Sequence, residues 1–132
     1  PYSLAMLLDE MREELRGIAV EIIATDISEK VIEQAKTGVY SQFEVQRGLP
    51  IRMLLKHFTQ EGTHWRIKPE LQREISFRRL NLLQPFQSLG RFDIVFCRNV
   101  LIYFNDETKH DVLGRIAATM APDGFLLLGG AE

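Results

Sequence analysis

Short apolar runs that stop abruptly at polar residues alternate with segments of helical periodicity, and this restricts the fold of the chain more than any other feature. Ala19 to Thr25 carries Val20, Ile22 and Ile23 almost without interruption and is followed by Asp26. Phe92 to Cys97 is broken only by Asp93 and is followed by Arg98 and Asn99. Near-continuous runs of this kind suit strands of a parallel sheet covered on both faces. Leu4, Leu7, Leu8, Met11 and Leu15 predict a helix over Tyr2 to Leu15. Ser28 is a good N-cap for a helix reaching about Lys36, with Gly38 as its stop. Asn105 or Asp106 caps a helix to about Met120, and Pro122-Asp123-Gly124 predicts a turn before a last strand, Phe125 to Leu128.

The stretch from Tyr40 to Glu74 is too long for a plain helix-to-strand connection and must hold structure of its own. Pro50 to Phe58 reads as helix, Gly62 as a turn, His64 to Lys68 as a strand, Pro69 to Arg73 as one helical turn and Ile75 to Leu80 as another strand. The order α-β-α-(insert)-β-β-α-β predicts an α/β fold, an open and mostly parallel sheet with a small inserted antiparallel β element at about residues 41–79. The 132 residues suffice for one core.

Composition narrows the function classes. No apolar run approaches the ~18 residues of a membrane span. A lone cysteine, Cys97, excludes an internal disulfide and fits a reducing compartment, so a cytoplasmic location is expected. The net charge of -2 offers nothing to a bulk polyanion. Arg47 to Arg79 nevertheless holds eight Lys/Arg against three Asp/Glu, a local +5 that can steer an acidic partner.

Ligands of open parallel sheets sit beyond the C-terminal strand ends, which directs attention to Asp26-Ile27, Asn81-Leu82 and Cys97-Arg98-Asn99. Asp26 is placed to accept hydrogen bonds from ribose hydroxyls, and the competing role, starting the turn into the next helix, already has Ser28. Asn81 can present a donor and an acceptor to a purine edge, with Leu82 over a ring face, or it can close an Asx turn; spacing does not choose. The Cys97 side chain is expected to be a small core hydrophobe whose backbone can still line a pocket. Arg98, directly after an apolar strand, needs an anion or acceptor. Tyr103, if buried, needs a hydrogen-bond partner.

His57, His64 and His110 have no metal-ligand spacing and are expected on the surface or on helix faces, and no metal is expected. Asp9, Glu10, Glu13 and Glu14 are expected on the solvated face of the first helix. No nucleophile elbow, GxGxxG or phosphate loop is present.

The segments Pro1-Tyr2-Ser3-Leu4-Ala5-Met6, Ala24-Thr25-Asp26-Ile27, Ala35-Lys36-Thr37-Gly38-Val39-Tyr40, Asn81-Leu82-Leu83, Phe92 to Phe104 and Pro122-Asp123-Gly124 resemble, in order and spacing, the CheR family of chemotaxis methyltransferases. The resemblance spans essentially the whole chain, and Cys97-Arg98-Asn99 is its most specific part. It implies a Rossmann-like class I methyltransferase domain over residues 1–132. The implied cofactor is S-adenosyl-L-methionine, leaving S-adenosyl-L-homocysteine, and the reaction forms methyl esters on glutamates of chemoreceptors. It implies that Asp26 binds the ribose, that Asn81, Leu82, Cys97 and Arg98 surround the adenosine end, and that Tyr103 lies near the methyl group. Catalytic roles then fall to Arg98 and Tyr103, and the basic insert becomes part of a small β-subdomain facing the acidic cytoplasmic helices of the receptor, with no nucleic acid and no membrane insertion. In that family a glycine loop and a glutamate stand immediately before Pro-Tyr-Ser. They would precede Pro1, so a partial domain, inactive by itself, is expected. Two other readings are a non-catalytic cofactor-binding or scaffold module, and a nucleic-acid methyltransferase in which Trp65 stacks a base. Amino-methylating enzymes carry Asn/Asp-Pro-Pro-aromatic at a strand end, whereas this chain has Arg98-Asn99-Val100-Leu101.

Overall fold

The computed structural model describes residues 1–132, which form two compact units, Pro1–Leu80 and Asn81–Glu132. The first unit opens with α1 (Tyr2–Glu10), whose Tyr2, Ala5 and Met6 recur at helical spacing and are buried. The helix is shorter than its apolar periodicity predicts, because Met11 is exposed and packing ends there; beyond it the chain continues as turns to Gly17. Strand β1 (Ile22–Asp26) likewise starts later than expected, since Ile18 and Val20 remain in solvent. It leads through Ser28, whose hydroxyl accepts the Val31 N–H, into α2 (Glu29–Thr37), which stops at left-handed Gly38.

An antiparallel sheet of order β2-β4-β3 follows, made of β2 (Val39–Ser41), β3 (Phe58–Glu61) and β4 (His64–Ile67). Two short helices, α3 (Gln42–Gln46) and α4 (Ile51–His57), lie between its first two strands, and Ser41 and Glu44 close a capping box on α3. After α5 (Pro69–Gln72) comes β5 (Ile75–Arg79), counted above with the inserted region. It instead pairs in parallel with β1, Ile22 opposite Ile75 and Asp26 opposite Arg79, so the antiparallel element ends at Ile67. The unit's core joins α1 to the inserted sheet through Tyr2, Met6, Leu54, Trp65 and fully buried Ile67. The Tyr2 ring meets Tyr40 edge-on at 6.1 Å, and its hydroxyl donates to the Ala35 carbonyl at 2.6 Å.

The second unit is a β-α-β arrangement. β6 (Phe92–Cys97) runs parallel to β7 (Met120–Leu128), and α6 (Asp106–Ala118) connects them. Asn105 caps α6 by accepting the Thr108 N–H at 2.8 Å, while Val112 and Ile116 form its buried side. Pro122-Asp123-Gly124 does not precede the last strand as a turn; it is a bulge within β7. The register passes from Phe92 opposite Met120 to Ile94 opposite Phe125, leaving extra residues on β7. Gly124 permits this, because a Cβ there would lie 2.9 Å from the Asp93 carbonyl oxygen. No helix is long and apolar enough to cross a membrane.

Candidate active site

Asp26 closes β1 in the first unit, and Asn81, Leu82, Cys97, Arg98 and Tyr103 belong to the second. All but Tyr103, which sits in a 3-10 turn farther on, lie at or just beyond the end of a strand, where a parallel sheet presents backbone groups and side chains to a ligand.

The Asp26 carboxylate makes the turn contact that sequence reasoning set against a ribose role and keeps its second oxygen uncommitted. Oδ1 accepts the Ser28 N–H at 2.8 Å and so shapes the turn into α2, even though Ser28 also caps that helix. Oδ2 has no protein donor and the residue is half-buried, which leaves one acceptor for a ribose hydroxyl. Arg79, opposite Asp26, donates from Nε to the Ile27 carbonyl at 3.0 Å, and the Leu80 N–H donates to the Asp26 carbonyl at 2.9 Å. The strand end is therefore held by bonds that leave Oδ2 free.

Asn81 closes an Asx turn, with Oδ1 accepting the Leu83 N–H at 2.9 Å. Its amide Nδ2 remains available as a donor to a ring nitrogen. Leu82 is half-buried, and its carbonyl accepts Arg115 Nη1 of α6 at 3.0 Å. Cys97 is buried as the last residue of β6, opposite Leu128, as a small core hydrophobe should be. Burial first, and then the Glu132 carboxylate, push its thiol pKa up, which makes it a poor nucleophile.

Arg98 is exposed and makes no ion pair, so its guanidinium is free to meet an anion. Tyr103, in a 3-10 turn at residues 101–103, is 80% exposed; it needs no protein partner because its ring stands in solvent. The first unit thus offers an uncommitted acceptor at Asp26, and the second, by itself, a donor at Asn81 and an uncommitted cation at Arg98.

Two expectations are corrected. Asp9 and Glu10 are not simply solvated, and His57, which does lie on a helix, is buried and not on the surface. His57 is 3% exposed, with Nε2 3.3 Å from Glu10 Oε1 and Nδ1 3.9 Å from Asp9 Oδ2. Lys56 Nζ lies 3.0 Å from Glu10 Oε1, and Arg52 Nη1 3.3 Å from Glu10 Oε2. The three acid and imidazole groups come close enough to share a metal ion, their ligand atoms within 4.8 Å of one another. Lys56 and Arg52 already bring positive charge to the same carboxylates, however, and we read the cluster as a knot between α1 and α4. No local spacing reveals it, since its members are 47 residues apart. Trp65 is also corrected as a stacking platform: it is buried, and its indole N–H donates to Gln42 Oε1 at 2.6 Å.

The knot has a pH signature. The hydrogen bond from Lys56, with His57 and Arg52 behind it, holds the Glu10 pKa down to about 2 from an ordinary 4.5. A lowered carboxylate pKa in the folded state stabilises above the unfolded value, and that contribution is lost as pH falls from about 4.5 toward 2. The thermal midpoint is expected to drop across this window, and less steeply in Glu10→Gln. Equal slopes in the two proteins would remove Glu10 as the cause.

Parallel strand pairs with free polar groups at their C-terminal ends define an α/β protein of the nucleotide-cofactor class. The family described as "CheR methyltransferase, SAM binding domain" matches residues 1–132, and the chain belongs to it. The family's cofactor is S-adenosylmethionine. The chain is similar to "Chemotaxis protein methyltransferase 1" of Pseudomonas aeruginosa, 45% identical over 136 residues, covering 100% of this chain and 50% of that protein. It is 39% identical over 135 residues to "Chemotaxis protein methyltransferase 1" of Vibrio cholerae (100% and 49% covered). It is 35% identical over 136 residues to "Chemotaxis protein methyltransferase" of Escherichia coli (100% and 47% covered). The chain thus spans about half the length of the curated relatives it matches.

Proposed function

We propose that the protein carrying this chain transfers the methyl group of S-adenosylmethionine to glutamate side chains on the cytoplasmic helices of chemoreceptors, forming methyl esters. The observation that carries the reading is the family match over every residue, together with free polar groups at the matched strand ends, Asp26 and Arg98. Asp26 Oδ2 holds the ribose, Asn81 Nδ2 meets the adenine edge, and Leu82 and Cys97 line the apolar part. When bound, the cofactor supplies a methyl group activated by its sulfonium. A glutamate acceptor is ionised at neutral pH and needs no general base. Arg98 keeps that carboxylate ionised as water leaves it, and the Tyr103 hydroxyl orients it. Among the cations of the basic stretch, Arg47, Lys68, Arg73 and Arg78 make no ion pair and are available to an acidic helix.

Buried Trp65 removes the stacking group on which the nucleic-acid reading relied. The test is to incubate the whole protein with methyl-labelled cofactor and a receptor cytoplasmic fragment, then treat the product with alkali. Methyl esters release labelled methanol, and glutamate-to-alanine receptor variants should abolish that release. Label that resists alkali would overturn the ester assignment. Cofactor binding without any transfer would favour the scaffold reading.

A further inference from the structure

The loop that presents Arg98 is clamped by residues to which the proposed reaction assigns no role. Asn99 adopts φ +61°, the one non-glycine residue of the chain in the left-handed region. Asn enters that region more readily than most L-residues, but it stays there only where its surroundings hold it. Two neighbours do so. Gly129, just past β7, leaves room for the Asn99 side chain: a Cβ on Gly129 would stand 2.6 Å from Asn99 Oδ1 and 3.1 Å from Asn99 N. Glu132 reaches back so that its Oε1 accepts the Val100 N–H at 3.1 Å. Glu132 Oε2 is buried and accepts no hydrogen bond, a costly arrangement if stability were its only purpose. A left-handed residue, a glycine whose Cβ would crowd it and an underused carboxylate all converge on the turn that follows β6.

We propose that Glu132 is a positioning residue for methyl transfer: through the Val100 N–H it holds the Arg98–Val100 turn in its left-handed form and so fixes where the Arg98 guanidinium is presented. The inference rests on the role given to Arg98 above. The contact that matters is the acceptor oxygen on Val100. The negative charge is not required, and the conservative amide should therefore preserve function.

The experiment uses the whole protein with cofactor and receptor fragment. Glu132→Ala is expected to lower kcat by about tenfold while leaving KM for the receptor within about twofold, because alignment is lost and encounter is not. Glu132→Gln keeps the acceptor and should restore kcat to within about twofold of the parent. Gly129→Ala, whose Cβ would stand 2.6 Å from Asn99 Oδ1 and 3.3 Å from Glu132 Oε1, presses on both halves of the clamp and should reproduce the kcat loss. If Glu132→Ala does not fold, Glu132→Asp carries the test, since a carboxylate one methylene shorter cannot reach Val100 from the same backbone. Parent-like kcat in Glu132→Ala or Glu132→Asp would overturn the proposal, as would a Glu132→Gln protein as slow as the alanine variant. S-adenosylhomocysteine titration of the parent separates the two levels: an unaltered protein that neither binds it nor makes ester refutes the proposed function, whereas an active parent with an equally active Glu132→Ala refutes only the role of Glu132.

Discussion

Arg98→Ala in the whole protein is expected to reduce methyl-ester formation by about two to three orders of magnitude, the range for removing one preorganised electrostatic contact from a reacting centre. The reason is specific to this reaction. The acceptor must lose water to approach the methyl group, and a carboxylate losing water without a cation beside it takes up a proton and ceases to be a nucleophile. Arg98 follows buried Cys97 at the end of β6 and is exposed, and no carboxylate of the protein neutralises it. Arg98→Lys should recover part of the rate, because a point charge replaces a planar fork. The thermal midpoint should stay close to the parent's, since the side chain makes no bond whose loss would destabilise the fold. Initial rates of alkali-labile label, measured beside a melting curve, decide the matter. Unchanged turnover would remove Arg98 from the chemistry.

The largest effect on stability is expected at Gly38. Two penalties coincide there. Its φ of +66° disfavours any L side chain, and an added Cβ would stand 2.5 Å from Ile67 Cγ2 and 2.6 Å from Gln72 Nε2. Gln72 can swing away, but it would then give up its hydrogen bond to the Lys36 carbonyl at 2.9 Å. Ile67 cannot move freely, being fully buried at the end of β4 within the unit's core. Left-handed strain of about 1 kcal/mol and overpacking of about 1–3 kcal/mol together predict a loss of about 3 kcal/mol for Gly38→Ala. Gly62→Ala is the control: its φ is +62°, but nothing lies within 4 Å, so only the strain of about 1 kcal/mol should appear. Urea unfolding midpoints measure both. Equal losses would mean that the Ile67 contact contributes nothing.

These predictions draw unequally on sequence and structure. Ser28, Gly38 and Asn105 were legible as helix boundaries because a cap acts on residues two to four positions away. The strand ends at Asp26 and Cys97 were legible for a related reason: a polar residue in or after an apolar run marks where a strand stops, and strand ends are where such sheets bind. The state of those residues was not. That Asp26 keeps one free oxygen, that Tyr103 stands in solvent and that Asn99 is left-handed all follow from the turns between elements.

The sequence by itself determined the α/β order, the presence and approximate place of the inserted antiparallel element, and the family, because periodicity, capping and motif order are local properties of the chain. Tertiary structure alone decided that β5 joins β1, that Pro122-Asp123-Gly124 bulges within a strand, that Trp65 and His57 are buried, and that Glu132 closes on Val100. Each of these depends on which distant surfaces pack together, and the free energy of that packing is a property of pairs of segments that no spacing within one segment records.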